Sequence, residues 1–134
     1  PEIHLDLPYY IPEGYVDEVG LRLSFYKRFA SAEDESGVMD LAREMEDRFG
    51  EAPEEARTFV RAMRIKPELR HLRVLGCEAS KQRVTLQLKE DTPLDPRLVM
   101  ALVAKDPGRW KLTPDVKLTR RFDQDESGDA IDHI

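Results

Sequence analysis

Val74-Leu75-Gly76-Cys77-Glu78-Ala79, then Ser80-Lys81-Gln82, then Arg83-Val84-Thr85-Leu86-Gln87-Leu88-Lys89 is the stretch that decides the fold class. Val84, Leu86 and Leu88 alternate with polar residues, the period of a strand with one buried face. The polar triplet Ser80-Lys81-Gln82 between two such runs reads as the turn of a hairpin. Upstream of this stretch, back to about Asp17, the apolar period is helical, so the change of period marks a chain that is helical first and then sheet.

Moving back from the hairpin, Pro53 with Glu54 and Glu55 opens a helix, because proline suits the first turn and carboxylates favour the positive end of the helix dipole. Ala56, Phe59, Val60 and Met63 form its core face. Pro67 lacks an N–H to donate and crowds the preceding turn, so it is expected to break or kink this helix and leave Glu68 to Leu72 as a separate short one. Before it lies a second helix, opened near Ser31, Glu33 and Asp34 and closed by Gly50, with Val38, Leu41, Ala42, Met45 and Phe49 on one face. A first helix is expected from Asp17 to about Ala30. Its broad apolar face of Val19, Leu21, Leu23, Phe25, Tyr26 and Phe29 predicts deep burial. The opening residues Glu2 to Leu7 alternate as a strand with Ile3, Leu5 and Leu7 inward, followed by a connection broken by Pro8, Pro12 and Gly14.

Moving forward, Asp95-Pro96 opens a further helix through Leu98, Val99, Leu102 and Val103 that ends before Pro107-Gly108. Trp110 to Leu112 and Val116 to Leu118 are expected to complete the sheet around a Thr113-Pro114-Asp115 turn. The expected fold is therefore α+β: a single domain with an N-terminal strand, a helical segment of about three helices, then a small, mostly antiparallel sheet with one further helix. Residues 1–122 form the domain, and the acidic, aperiodic residues 123–134 are expected to be a disordered tail.

The totals narrow the function classes. A chain of 134 residues fits one domain with one core. A net charge of −6 argues against generic binding to phosphate backbones. No direct nucleic-acid contact is expected. The single cysteine, Cys77, excludes an internal disulfide and fits a reducing compartment, so a cytoplasmic location is expected. No apolar run approaches the length of a membrane span, and no membrane association is expected. The chain begins at Pro1 without an initiator methionine, which leads to the expectation that it is a piece of a longer polypeptide.

A search for chemistry finds little. The seven glycines are scattered, with no phosphate-cradling loop. His4, His71 and His133 lie far apart, without metal-ligand spacing. Cys77 and His71 could in principle be nucleophile and base, but a lone cysteine in a strand is usually a small buried hydrophobe. Arg120-Arg121-Phe122 is a short basic-aromatic cluster, read as structural. No catalytic, metal or cofactor residue is assigned, and the domain is not expected to be an enzyme.

The informative feature is an acidic stripe. Asp40, Glu44 and Asp47, four and three residues apart, share one face of the second helix and point away from its apolar face. The plain reading is a solvated face in which Glu44 pairs with Arg48; the functional reading is a patch complementary to arginines on a partner. Arg57, Arg61 and Arg64 make a basic stripe on the third helix. It either pairs with the acidic helix or faces solvent.

The residues Arg22-Leu23-Ser24-Phe25-Tyr26-Lys27-Arg28-Phe29-Ala30-Ser31-Ala32, followed by Glu46-Asp47-Arg48-Phe49-Gly50 and Pro53, resemble the C-terminal domain of bacterial transcription-repair coupling factor (Mfd). The likeness runs from the opening strand through Val84–Leu88 and on toward Leu118. It implies a regulatory domain of a larger ATP-dependent DNA translocase, a hydrolase whose ATP and Mg are bound elsewhere in the parent protein. It also implies docking on a UvrB-like N-terminal module of the same polypeptide, which masks UvrA binding and restrains translocation until RNA polymerase is engaged. The family's acidic clamp positions fall on Glu44 and Asp47, with Asp40 a neighbour. The alternative is a domain that binds an external protein or DNA directly once released.

Overall fold

The computed structural model describes residues 2–122; the acidic tail expected at 123–134 lies outside the described residues. Five strands and four helices follow in the order β1 (Glu2–Leu5), α1 (Val19–Ser31), α2 (Glu35–Phe49), α3 (Glu54–His71), β2 (Val74–Ala79), β3 (Arg83–Leu88), α4 (Pro96–Lys105), β4 (Trp110–Leu112) and β5 (Lys117–Arg121). This is the expected α+β order. Contacts group the described residues into two units, one of residues 7–68 and one of residues 2–6 with 69–122.

In the helical unit the termini are set by side chains the sequence supplies for that purpose. Both carboxylate oxygens of Glu18 accept the first free amides of α1, from Gly20 and Leu21, at 2.9 and 2.7 Å. Asp34 caps α2 by accepting from Gly37 N at 2.8 Å. Gly50 ends α2 at φ 88°, in a region that penalises any Cβ. The core of this unit is aromatic. Phe25 and Phe29 are 1% exposed, and Phe29 meets Phe59 edge-on at 5.4 Å between centroids. Tyr26 meets the same Phe59 ring at 5.2 Å, while its hydroxyl accepts the backbone N–H of Ile11 at 2.7 Å.

Two expectations need correction here. The first helix is not buried along its whole apolar face: Val19 and Leu23 are 56% and 57% exposed. They lie about a third of a turn from Phe25 and Phe29, too far round the helix for one contact surface to cover both sets. The second concerns Pro67. The third helix runs unbroken from Glu54 to His71 with Pro67 inside it, and there is no separate helix over Glu68–Leu72. Proline's fixed φ is itself helical, so the cost is a missing hydrogen bond and local crowding. Burial of Ala62, Met63, Pro67 and Leu69 offsets that cost.

The second unit is a mixed five-stranded sheet in the order β1-β2-β3-β5-β4. The hairpin of β2 and β3 forms where expected, with Cys77 opposite Leu86 and Ala79 opposite Val84. Its turn is closed by Ser80 N donating to Arg83 O at 2.9 Å, and the Ser80 hydroxyl accepts from Gln82 N and Arg83 N. The first strand adds parallel to β2, Ile3 beside Cys77. It stops at Leu5, so Leu7 is not on the sheet as expected. The last strand begins one residue later than expected and continues through Arg121, carrying Arg120 and Arg121 into the sheet. Asp95 caps α4 by accepting from Arg97 N at 2.9 Å.

Candidate interdomain interface

The acidic stripe of α2 survives as a geometric feature, but its three members differ. Val38 and Met45 are fully buried, which turns the opposite face of the helix outward and leaves Asp40 and Asp47 exposed and Glu44 half-exposed. Asp40 is engaged by its own helix, accepting from Arg43 Nη2 at 2.5 Å. Glu44 is engaged by α1: Arg28 donates from Nη1 to Oε2 at 2.5 Å and from Nη2 to Oε1 at 2.8 Å. Asp47 has neither a hydrogen bond nor an ion pair among the described residues.

The Arg28–Glu44 pair replaces the Glu44–Arg48 pair that spacing alone offered. Arg48 instead lies over the Phe49 ring, 5.3 Å from its centroid. Arg28 also stands over Phe25 at 5.6 Å. The bond from Arg28, followed by its charge and that of Arg48, holds the Glu44 carboxyl below the usual carboxylate range. The same bond raises the Arg28 guanidinium above its ordinary value.

The basic stripe meets the acidic helix at Arg64, though at its first residue rather than at Asp40, Glu44 or Asp47. Arg64 reaches Glu35 at the start of α2, with Nε at 2.9 Å and Nη2 at 2.6 Å from Oε1, and Arg57 is exposed. Arg28 is the residue that sequence reasoning missed. The available signal was its position on α1, one residue before buried Phe29 and three after buried Phe25, which keeps it at the edge of the contact face rather than in open solvent.

Other candidates are chemically quiet. Cys77 is fully buried between β1 and β3, and burial, with a smaller contribution from Glu78, pushes its thiol up to about 11. His71 is exposed at the end of α3 and His4 is exposed on β1; His133 lies outside the described residues. Among the described residues no group of three or more His, Cys, Asp or Glu could hold a metal ion. Among the same residues no helix is long and apolar enough to cross a membrane.

Fold and surface together define a four-helix, five-strand α+β domain whose polar geometry is concentrated in surface ion pairs. Residues 5–99 match the family model of the TRCF domain, and the chain belongs to that family. It is 41% identical over 131 residues to the transcription-repair-coupling factor of Myxococcus xanthus, covering 98% of this chain and 11% of that protein. It is 31% identical over 126 residues to the transcription-repair-coupling factor of Escherichia coli K12, covering 94% of this chain and 11% of that protein. The chain thus spans about a tenth of the length of the curated relatives it matches. A crystal structure of the C-terminal domain of a transcription-repair coupling factor has the same fold, with a TM-score of 0.76 at 18% identity over 94% of this chain and 81% of the other.

Proposed function

We propose that this chain is an autoinhibitory interaction domain that docks, through the α2 face of Glu44 and Asp47 with Asp40 at its edge, on a UvrB-like N-terminal module of its own polypeptide. Docked there it masks the surface that UvrA binds and restrains ATP-driven DNA translocation. RNA polymerase engagement releases it. The observation that carries this reading is Asp47: an exposed carboxylate without a partner among the described residues, on a helix, beside the already charged Arg28–Glu44 pair.

A carboxylate fixed in this way can accept two hydrogen bonds from a guanidinium, a charge-assisted geometry that gives direction as well as energy. A contact of this size suits a latch. Moving a closed-to-open balance from 1:99 to 99:1 takes a differential of only about 5.5 kcal/mol, within reach of a competing partner. The domain itself supplies no ATP or Mg site in this reading; those belong to the translocase portion of the parent protein.

The test is titration of this chain against the N-terminal UvrB-like module of the same protein, comparing wild type with Glu44→Ala/Asp47→Ala at two salt concentrations. Binding by wild type and not by the double variant supports the latch. Equal binding by both places the contact elsewhere on the domain. If neither binds, the same comparison is repeated in the full-length protein, where linkage raises the effective concentration; unchanged UvrA binding there would overturn the proposal.

A further inference from the structure

Strand alternation sorts the sheet into two faces. Cys77, Ala79, Val84, Leu88 and Leu118 are buried on one. The other carries Arg83, Thr85 and Gln87 from β3, Lys117, Thr119 and Arg121 from β5, and Lys111 from β4, while toward the β1 edge it carries exposed Glu78 opposite Thr85, with His4 and Glu2 beyond it. Its four cations are exposed, and β3, β5 and β4 contain no Asp or Glu at all.

The register concentrates the charge. Arg83 stands directly opposite Arg121 and Gln87 opposite Lys117, while Lys111 is opposite Thr119. The Thr85 and Thr119 hydroxyls meet at 3.1 Å in the middle. Like charges directly opposite one another weaken a strand pair, so the Arg83–Arg121 row works against the sheet that holds it. Arg83, Arg121 and Lys111 have no ion-pair partner among the described residues, and Lys117 has only a loose one, Asp115 at 3.9 Å.

The matching anion is in the same chain. Five of its six net negative charges are carried by Asp123, Asp125, Glu126, Asp129 and Asp132, a segment without Lys or Arg. Phe122 N donates to Gln82 O at 2.7 Å, so the acidic run is joined to the sheet beside the Arg83–Arg121 row. The face extends from Arg121 to Lys117, about 13 Å along β5. A dozen residues reach about 40 Å when extended.

We propose that the basic face of β3, β5 and β4 is the docking surface for the chain's own acidic segment, Asp123 to Asp132, which shields it from outside polyanions. Charge complementarity and tethering favour this occupant over an external phosphate backbone, which the chain's net negative charge repels.

The test uses a fluorescent peptide with the sequence of residues 123–134, followed by anisotropy against three versions of the 134-residue chain: wild type; a neutral-tail chain with the four aspartates of that segment changed to Asn and Glu126→Gln; and the neutral-tail chain with Arg83→Glu and Arg121→Glu. A tethered competitor acts at about millimolar effective concentration, so the neutral-tail chain is expected to bind the peptide about tenfold more tightly than wild type. Binding should fall steeply with salt and vanish on charge reversal. Lys111→Glu/Lys117→Glu in the neutral-tail background provides a second reversal should the first disturb folding by circular dichroism. Equal binding by wild type and neutral-tail chains, or binding that survives both reversals, overturns the proposal. So does a neutral-tail chain that binds a short phosphodiester oligonucleotide but not the peptide.

Discussion

Arg28 on α1 grips Glu44 on α2 with both terminal nitrogens, at 2.5 and 2.8 Å, across sixteen residues of sequence. The two-pronged geometry fixes the direction of the carboxylate, and both side chains remain 40–45% exposed. The pair therefore orients more than it stabilises, and salt weakens it.

Its acid response has a definite sign. The Arg28 bond holds the Glu44 carboxyl below the ordinary 4.5, so its contribution to folding is complete above that value and is lost as pH falls through the lowered one. Urea midpoints measured from pH 7 down to pH 2 are expected to fall less for Glu44→Gln than for wild type, the two converging at the acid end. The difference should shrink in high salt. A Glu44→Gln profile parallel to wild type would show that the pair contributes nothing to stability.

Docking should depend unequally on the two carboxylates. Glu44 already has both oxygens occupied, whereas Asp47, without a partner among the described residues, brings its whole carboxylate to a partner's arginine. Asp47→Ala is expected to weaken binding to the N-terminal module by about tenfold or more, and Glu44→Ala by less. Calorimetric titration of the two single variants decides the order. The reverse order would make Glu44, released from Arg28, the principal contact.

The fold's local signals were legible because each is a short-range effect. Asp34 and Asp95 cap helices, Gly50 stops one, and Ser80-Lys81-Gln82 turns a hairpin, all through atoms a few residues apart. What the sequence concealed is long-range or cooperative. The parallel pairing of Ile3 beside Cys77 joins residues far apart in the chain, and no local pattern encodes a partner at that separation. Passage of α3 through Pro67 depends on tertiary burial outweighing a local penalty. The candidate site divides the same way: helical spacing found the stripe, but the partners of Asp40 and Glu44 depended on side-chain reach along and between helices.

Cys77 should behave as a core residue in its chemistry. With its thiol pushed up to about 11 from an ordinary 9.0, ionisation alone predicts about a hundredfold slower reaction with a disulfide reagent at pH 8, and burial slows it further. Because the folded protein keeps its proton longer, this contribution to stability is present below pH 9 and is lost as pH rises toward 11. Rapid modification of the native protein would show that the sheet opens locally around Cys77.

Tyr26 offers the sharpest test of the helical unit because one atom can be removed without changing shape. Its hydroxyl accepts the N–H of Ile11 at 2.7 Å, and Ile11 is 2% exposed, so Tyr26→Phe leaves a buried donor without that partner. The cost is expected to be about 1–3 kcal/mol in urea unfolding, while the edge-on contact with Phe59 is kept. Tyr15→Phe is the control. It also loses a hydrogen bond, to Gly50 O at 2.6 Å, but at an exposed site where water can take over the carbonyl, so its cost should be the smaller. Hydrogen exchange separates the causes: in Tyr26→Phe the Ile11 amide should exchange faster than its neighbours. Uniform acceleration across residues 7–68 would mean that the loss is global and that the hydroxyl does not specifically hold the connection between β1 and α1.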